Sequence, residues 1–451
     1  MDSLYPYLAL DALVVVTLVV LMSTRLTFWH PLTAYLFFHA YSFTYRGFKL
    51  ASGQVSPLYA GVPNAEVITP AEIARALLWA DAALVIFAVG AWVAHLRFES
   101  QAERPVVRRV LSTNIARFLG IVCLPVGLYY FYALKGGFME LEAGAAGTGY
   151  LQTVALWPIG VVGLLVFAFG FRWYLVLIAL FFLSGVALQG YHRFMLVLPL
   201  LFFASYYLQS IRRRWPTWPI LAGAFLMALV FPRLKYIGQA VQYGDTQEAV
   251  AQLASSFDFA SRDKNKEEAT GEDFLDQYAG ALSLVDSNER KFWGSTYLAI
   301  VTLPIPRAWW SNKPGLADHL QEISTSGRNY AQEGRIITYL GESYLNFGYA
   351  GFFLVPGLLG FGFTAYCLRA TAGPMRRLAR YLYLVILPAL ILMFRDGLLS
   401  VFVFTIVHNM PSLFTLVLHM VPGFAEKSLD RPAADPLAGE EESEIATRQM
   451  Q

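Results

Sequence analysis

The chain has 451 residues, of which 56% are hydrophobic and only 15% charged, and its formal net charge is +2. Soluble proteins average about 25% charged residues, so this composition excludes an ordinary soluble globule and an intrinsically disordered chain. Two cysteines exclude a disulfide-stapled scaffold, and neither the charge nor any motif points to nucleic acid.

A membrane span needs about 20 mostly apolar residues. In chain order the pattern predicts helices at 5–23, 28–46, 71–95, 115–134, 151–171, 173–191, 194–211, 218–232, 346–368, 379–394 and 399–420. The expected fold is an all-α polytopic membrane protein with about eleven transmembrane helices. The segments 194–211, 218–232 and 379–394 are short or closely spaced and fit tilted or bent helices. Pro199, Pro219, Pro388 and Pro411 lie in or beside spans, where a neighbouring helix can satisfy the freed carbonyl. Cys123 and Cys367 fall inside spans and read as small apolar packers. The glycines of GLLGFG (357–362) sit in an apolar run and read as helix packing rather than a phosphate loop. Asp11, His39, Asp81 and His408 also fall inside spans, where ionisable groups are functional hypotheses by default. No two of them stand at i, i+4. Buried pairing competes with proton coupling, and Asp81 is the one most worth testing.

Orientation follows from cations in short loops. Arg25, then Arg97, Arg104, Arg108 and Arg109, then Arg172, then Arg212 to Arg214, then Arg369, Arg376, Arg377 and Arg380 fall on one side of an eleven-span chain. That side is cytoplasmic, which puts the amino terminus outside. The chain divides into helices one to eight (1–231), a large external segment (232–345), helices nine to eleven (346–424) and an acidic, solvated cytoplasmic tail (425–451). The external segment holds 26 charged residues in 114, against 40 in the other 337, so it is an aqueous insertion into a membrane body.

Within that segment, 246–260 and 274–285 carry apolar residues at helical spacing. They read as amphipathic helices lying on the membrane surface or on the bundle. Residues 261–273 read as a solvated connector. The second half, KFWGSTYLAIVTLPIPRAWWSNKPG (291–315) and GRNYAQEGRIITYLGESYLNFGYAG (327–351), is rich in aromatic and cationic residues. Rings stack on the apolar faces of sugars and cations hold phosphate, so this composition suits a sugar–phosphate surface.

Arg193 in GYHRFMLVLP, Arg395 in FRDGLLS, and Arg233 with Lys235 in FPRLK break the cation bias at the same outer face. Together they fit a cationic site for a diphosphate at headgroup level. The competing reading is snorkelling and pairing, for example of Arg395 with Asp396. Glu342 stands four residues before Asn346, which puts both on one face of a helix. A carboxylate at the mouth of an apolar bundle is a candidate general base; the alternative is a helix amino-terminal carboxylate favoured by the dipole. His319 is the rival base, and His192 adjoins Arg193. No HExxH, no CxxC and, in the external segment, no DxD is present, so neither a metal nor another cofactor is expected.

The order of these pieces carries a resemblance: a tight helix pair ending in Arg, then WGSTYL, PIPRAWWSNKP, GESYLNFGYAG entering a span, and FRDGL at the next outer end. The chain resembles the Wzy-type oligosaccharide repeat-unit polymerases of O-antigen and exopolysaccharide synthesis. The specific part covers 291–351 and 394–400. The resemblance implies a GT-C-like helical architecture in a bacterial inner membrane. It implies metal-independent transfer of a growing glycan from undecaprenyl diphosphate to a second lipid-linked repeat unit, with membrane lipid as the medium and a chain-length regulator as a possible partner. It also implies roles: Glu342 activates or orients the acceptor hydroxyl; Arg193, Arg307, Lys313 and Arg395, with Arg233, hold the diphosphate; Trp309, Trp310, Arg335, Tyr339, Tyr344 and Asn346 line the glycan path. An O-antigen ligase-like transferase, which would use His319 as base, and a lipid-linked oligosaccharide flippase are the rival readings.

Overall fold

The computed structural model describes residues 2–57, 68–99, 112–133, 148–188, 194–230, 233–242, 244–255, 274–288, 291–302, 305, 309–310, 338–372, 376–398 and 409–421. Among these residues the regular structure is entirely helical. The helices are α1 (Tyr5–Met22), α2 (Pro31–His39), α3 (Arg46–Ala51), α4 (Pro70–Phe98), α5 (Thr113–Ala133), α6 (Thr148–Phe169), α7 (Trp173–Leu188), α8 (Phe194–Ser210) and α9 (Trp218–Val230). They continue as α10 (Leu234–Gln242), α11 (Thr246–Ser255), α12 (Phe274–Asn288), α13 (Ser295–Thr302), α14 (Thr338–Phe347), α15 (Gly351–Ala372), α16 (Arg376–Asp396) and α17 (Met410–Met420).

Among the described residues, five helical segments are long and apolar enough to cross a membrane: Tyr5–Met22, Pro70–Phe98, Thr113–Phe131, Thr338–Thr371 and Leu378–Asp396. Five shorter apolar stretches occupy α6, α7, α8, α9 and α17. The apolar helices overlap the predicted segments, of which residues 399–408 lie outside the described ones, while length and composition support five spans. Two segments are built differently from the expectation. The run predicted at 28–46 is α2, a π-helical turn at Ala40–Tyr45, and α3. The helix predicted to start at 346 begins at Thr338, then breaks at a 3-10 turn, Gly348–Ala350, where Gly348 takes φ +60°. Only a residue without a Cβ takes that conformation readily, so the chain bends there instead of running straight into α15.

Local chemistry sets the ends of α4. Thr69 accepts a hydrogen bond from the Glu72 N–H (3.3 Å), Glu72 accepts one from the Thr69 N–H (2.8 Å), and Pro70 opens the helix. This reciprocal cap satisfies two of the donors that a helix start leaves open.

The main core gathers side chains of α1, α2, α4, α12, α14, α15 and α16. At its centre α4 and α15 meet backbone to backbone. A Cβ at Gly90 would lie 2.3 Å from the Gly357 carbonyl oxygen, and one at Gly360 would lie 2.1 Å from that of Phe87. Glycine at these positions permits the approach, as the apolar GLLGFG run predicts. A second core joins α5, α6, α8, α16 and α17. Helix α16 serves both: Tyr381 bonds Ser412 Oγ (2.6 Å) in the second, while Leu390, Met393 and Phe394 fill the first.

Of the two amphipathic helices expected in 232–345, α12 packs on the bundle. Phe274, Leu275, Tyr278, Ala279 and Leu282 form one apolar stripe; all five are buried, the last four of them in the main core. Its polar side is tied down as well. Arg46 grips Asp276 through Nε–Oδ1 (3.1 Å) and Nη2–Oδ2 (2.7 Å), Ser283 donates to Glu72 (2.6 Å), and Arg75 pairs with Asp286. The described part of the other helix, α11, buries Ala249 and leaves Val250 and Leu253 exposed.

The close approach of α4 and α15 predicts that Gly360→Val lowers stability by about 1–3 kcal/mol or more, because the added atoms meet a backbone carbonyl that cannot move aside. Gly362→Ala, whose Cβ would enter open space, leaves the stability of the detergent-solubilised protein within about 1 kcal/mol of the parent. Thermal unfolding followed by intrinsic fluorescence measures both.

Candidate active site

Three sequence motifs meet at one carboxylate. Glu342 sits on α14 and is 2% exposed. One of its oxygens, Oε1, accepts from Thr296 Oγ1 of α13 (3.2 Å). The other, Oε2, accepts from the backbone N–H of Leu398 just beyond α16 (2.7 Å). GESYLNFG, WGSTYL and FRDGL are thus held together by the two oxygens of a single side chain. Asn346, one turn on, shares the same face, as the spacing predicts. Its Nδ2 donates to Thr296 Oγ1 (2.6 Å) and to the Glu342 carbonyl (2.8 Å), and its Oδ1 accepts from the Gly294 N–H (2.9 Å). The Phe292 and Trp293 N–H groups donate to the Leu345 and Asn346 carbonyls, both at 3.0 Å. Gly397, at φ +95°, lets the chain pass the carboxylate; a Cβ there would lie 2.5 Å from Glu342 Oε2.

Tyr297 adds its hydroxyl at 3.3 Å from Ser343 Oγ. Burial, with the Glu342 carboxylate nearby, pushes its phenol above the ordinary range. The phenol is therefore a neutral hydrogen-bonding group that orients rather than ionises.

The predicted site residues separate into groups. Arg395 pairs with Asp396 through Nε–Oδ1 (2.5 Å) and Nη2–Oδ2 (2.8 Å), the pairing that competes with a phosphate role. Arg233 is half-buried and donates to Gln252 of α11 (3.4 Å). Trp309 and Trp310 are 83% and 40% exposed, as a stacking surface requires. Tyr339 and Tyr344 correct the expectation of a path-lining pair, because both rings are interior. Tyr339 lies between Tyr35 and Phe394, with centroids 5.5 Å from each. Tyr344 stacks on Phe352 (5.2 Å) and bonds Asp286. Asn346, fully buried, holds the backbone instead of facing a channel. The reason is that α14 is enclosed on all sides, with every residue from Thr338 to Asn346 buried. Arg193, Arg307, Lys313, His319 and Arg335, with His192 and His408, lie outside the described residues.

A second polar cluster gathers Asp11 of α1, His39 of α2 and Asp81 of α4. His39 Nε2 stands 2.7 Å from Asp11 Oδ1 and 3.3 Å from Asp81 Oδ1. Among the described residues this is the trio whose donor atoms, all within 4.8 Å of one another, are arranged to hold a metal ion. They stand on three different helices, so no periodicity relates them and only their placement in apolar runs marked them in the sequence.

No protein-family model, no curated protein and no solved structure matches the chain.

The shared Thr296 hydroxyl predicts that Thr296→Val destabilises the protein by about 1–3 kcal/mol, since Glu342 and Asn346 each lose a buried partner. Thr296→Ser, which keeps the hydroxyl, stays near the parent. Chemical or thermal unfolding of both variants in the same detergent checks the difference.

Proposed function

We propose that the chain is a polytopic polymerase of the Wzy type, joining lipid-linked oligosaccharide repeat units at the outer face of a bacterial inner membrane. The observation that supports this most is the convergence on Glu342 of three separated motifs that carry the resemblance. A carboxylate held in an apolar interior by hydrogen-bond donors is suited to take a proton once an acceptor hydroxyl replaces one of them. The exposed Trp309 and Trp310 supply stacking faces on the same external segment.

In this reading the acceptor hydroxyl oxygen attacks the anomeric carbon of the donor glycan, and its proton passes to Glu342. The carbon–oxygen bond to the lipid diphosphate breaks, and the diphosphate leaves with the bonding electrons. Arg193, Arg307, Lys313 and Arg395 neutralise that charge, with Arg395 exchanging Asp396 for phosphate. The reacting carbon needs no metal. Eleven spans put the amino terminus and residues 232–345 outside and the acidic tail in the cytoplasm, and a separate protein regulates chain length.

The test uses full-length protein in lipid with undecaprenyl-diphosphate-linked repeat units. A ladder of lipid-linked multiples is expected, and transfer of glycan to another acceptor would instead identify a ligase. Lipid flux with no new glycosidic bond would identify a flippase. Glu342→Gln is expected to lower turnover by about 10²–10⁴-fold while donor binding is retained; full activity would move the base to His319. A cysteine in place of Ser261 is expected to react with membrane-impermeant reagents from outside only, and labelling from the cytoplasmic side alone would refute the eleven-span orientation.

A further inference from the structure

We propose that Asp11, His39 and Asp81 form a buried site for one divalent cation of the Zn²⁺ or Mn²⁺ class, which fastens α1, α2 and α4 together. The geometry is the first argument. The three donor atoms lie within 4.8 Å of one another, and the two carboxylate oxygens face the same ring nitrogen at 2.7 and 3.3 Å. Around an ion with bonds of about 2.0–2.2 Å in tetrahedral geometry, donor atoms stand about 3.3–3.6 Å apart. An ion therefore fits with small outward movements of the same side chains.

Burial and charge are the second argument. The side chains are 0%, 0% and 7% exposed in the order Asp11, His39, Asp81. Among the described residues, the ion-pair partner of both carboxylates is His39 alone. The arginine that follows on the same helical run, Arg46, grips Asp276. Two ionised carboxylates with one imidazole leave net negative charge in an apolar interior unless the ring and one carboxylate both take up protons, and a bound divalent cation offsets that charge directly.

The third argument is the set of unused donors. Asp11 Oδ2, both Asp81 oxygens and His39 Nδ1 are buried without a hydrogen-bond partner, as is Thr44 Oγ1. A single proton shared between the carboxylates would serve two of these oxygens and leave the remaining atoms unserved. A divalent ion draws one lone pair from each of three residues at once. One nitrogen and two oxygens suit zinc or manganese better than the all-oxygen preference of calcium. The π-helical turn Ala40–Tyr45 begins at the residue after His39, and such turns occur frequently at functional sites. One turn before His39, Tyr35 packs against Tyr339, itself one turn before Glu342. The ion would thus stiffen the wall behind that carboxylate, as a structural centre rather than a participant in chemistry.

The inference does not rest on the proposed reaction, because its readout is bound metal. Full-length protein is purified from cells grown in medium supplemented in turn with Zn²⁺, Mn²⁺ and Co²⁺, and metal per chain is measured by mass spectrometry. The expected result is about one ion per chain, falling at least about tenfold in His39→Gln and Asp81→Asn. The cobalt protein is expected to show visible ligand-field absorption, and His39→Cys to retain cobalt and add a thiolate charge-transfer band. Where a variant fails to fold, the parent protein's metal content and cobalt spectrum decide alone. Monodisperse parent protein carrying no more metal than the buffer in all three media overturns the proposal. So does parent-level metal in folded His39→Gln and Asp81→Asn.

Discussion

The contact on which the rest of the structure depends is the backbone approach of α4 to α15. Lipid tails are as apolar as leucine, so burial in a bilayer supplies little force between helices, and close packing must supply it instead. Gly90 and Gly360 remove the Cβ atoms that would meet carbonyl oxygens of the facing helix. With the axes brought together, Trp79 stacks on Phe352 (5.0 Å), and Phe87 packs with Tyr35 and Phe394. The chain enters α15 through the Gly348 turn, so the docking of α15 also determines where α14 stands. The position of Glu342 is inherited from a glycine contact far along the helix.

Helix α12 closes this arrangement from the other side. It belongs to the charged part of the chain, yet its apolar stripe is core, and its polar residues reach α3, α4 and α14. A buried ion pair such as Arg46–Asp276 adds little net stability over an apolar pair of the same volume. Losing one partner is costly, so the pair selects one docking register against others. Asp286 is the clearest junction, receiving Arg75 from α4 and the Tyr344 hydroxyl from α14. Helix α12 is therefore coupled through side chains both to α4 and to α14, the helix that carries the candidate carboxylate.

The Glu342 site and the Asp11–Asp81 pair are built in opposite ways. Glu342 has a hydrogen bond for each oxygen, from Thr296 and from Leu398. Asp11 and Asp81 face one shared imidazole, and three of their four oxygens are left without a hydrogen bond. The first arrangement holds three segments in place through a carboxylate that is already satisfied. The second leaves coordination unfilled, and that difference separates a positioned reactive group from a site that calls for a ligand.

The sequence alone determined the helices. Apolar runs, the Thr69–Glu72 cap and the stripe on α12 are local patterns, and the described helices form along them, except that the run at 28–46 is broken by a π-helical turn and the helix expected from 346 begins at Thr338. It also determined the shared face of Glu342 and Asn346, because i and i+4 meet on any helix. Tertiary structure decided what those faces meet. Tyr339 and Tyr344 look like binding residues in a motif rich in aromatics, but α14 is enclosed by α12, α13, α15 and α16, so both rings are core. The pairing of Arg395 with Asp396 was legible as adjacent opposite charges, whereas the bond from Leu398 to Glu342 spans 56 residues and no local pattern encodes it. The meeting of Asp11, His39 and Asp81 is the plainest case. Periodicity reports which side of one helix is apolar, and only packing reports which three helices turn their polar residues toward the same point.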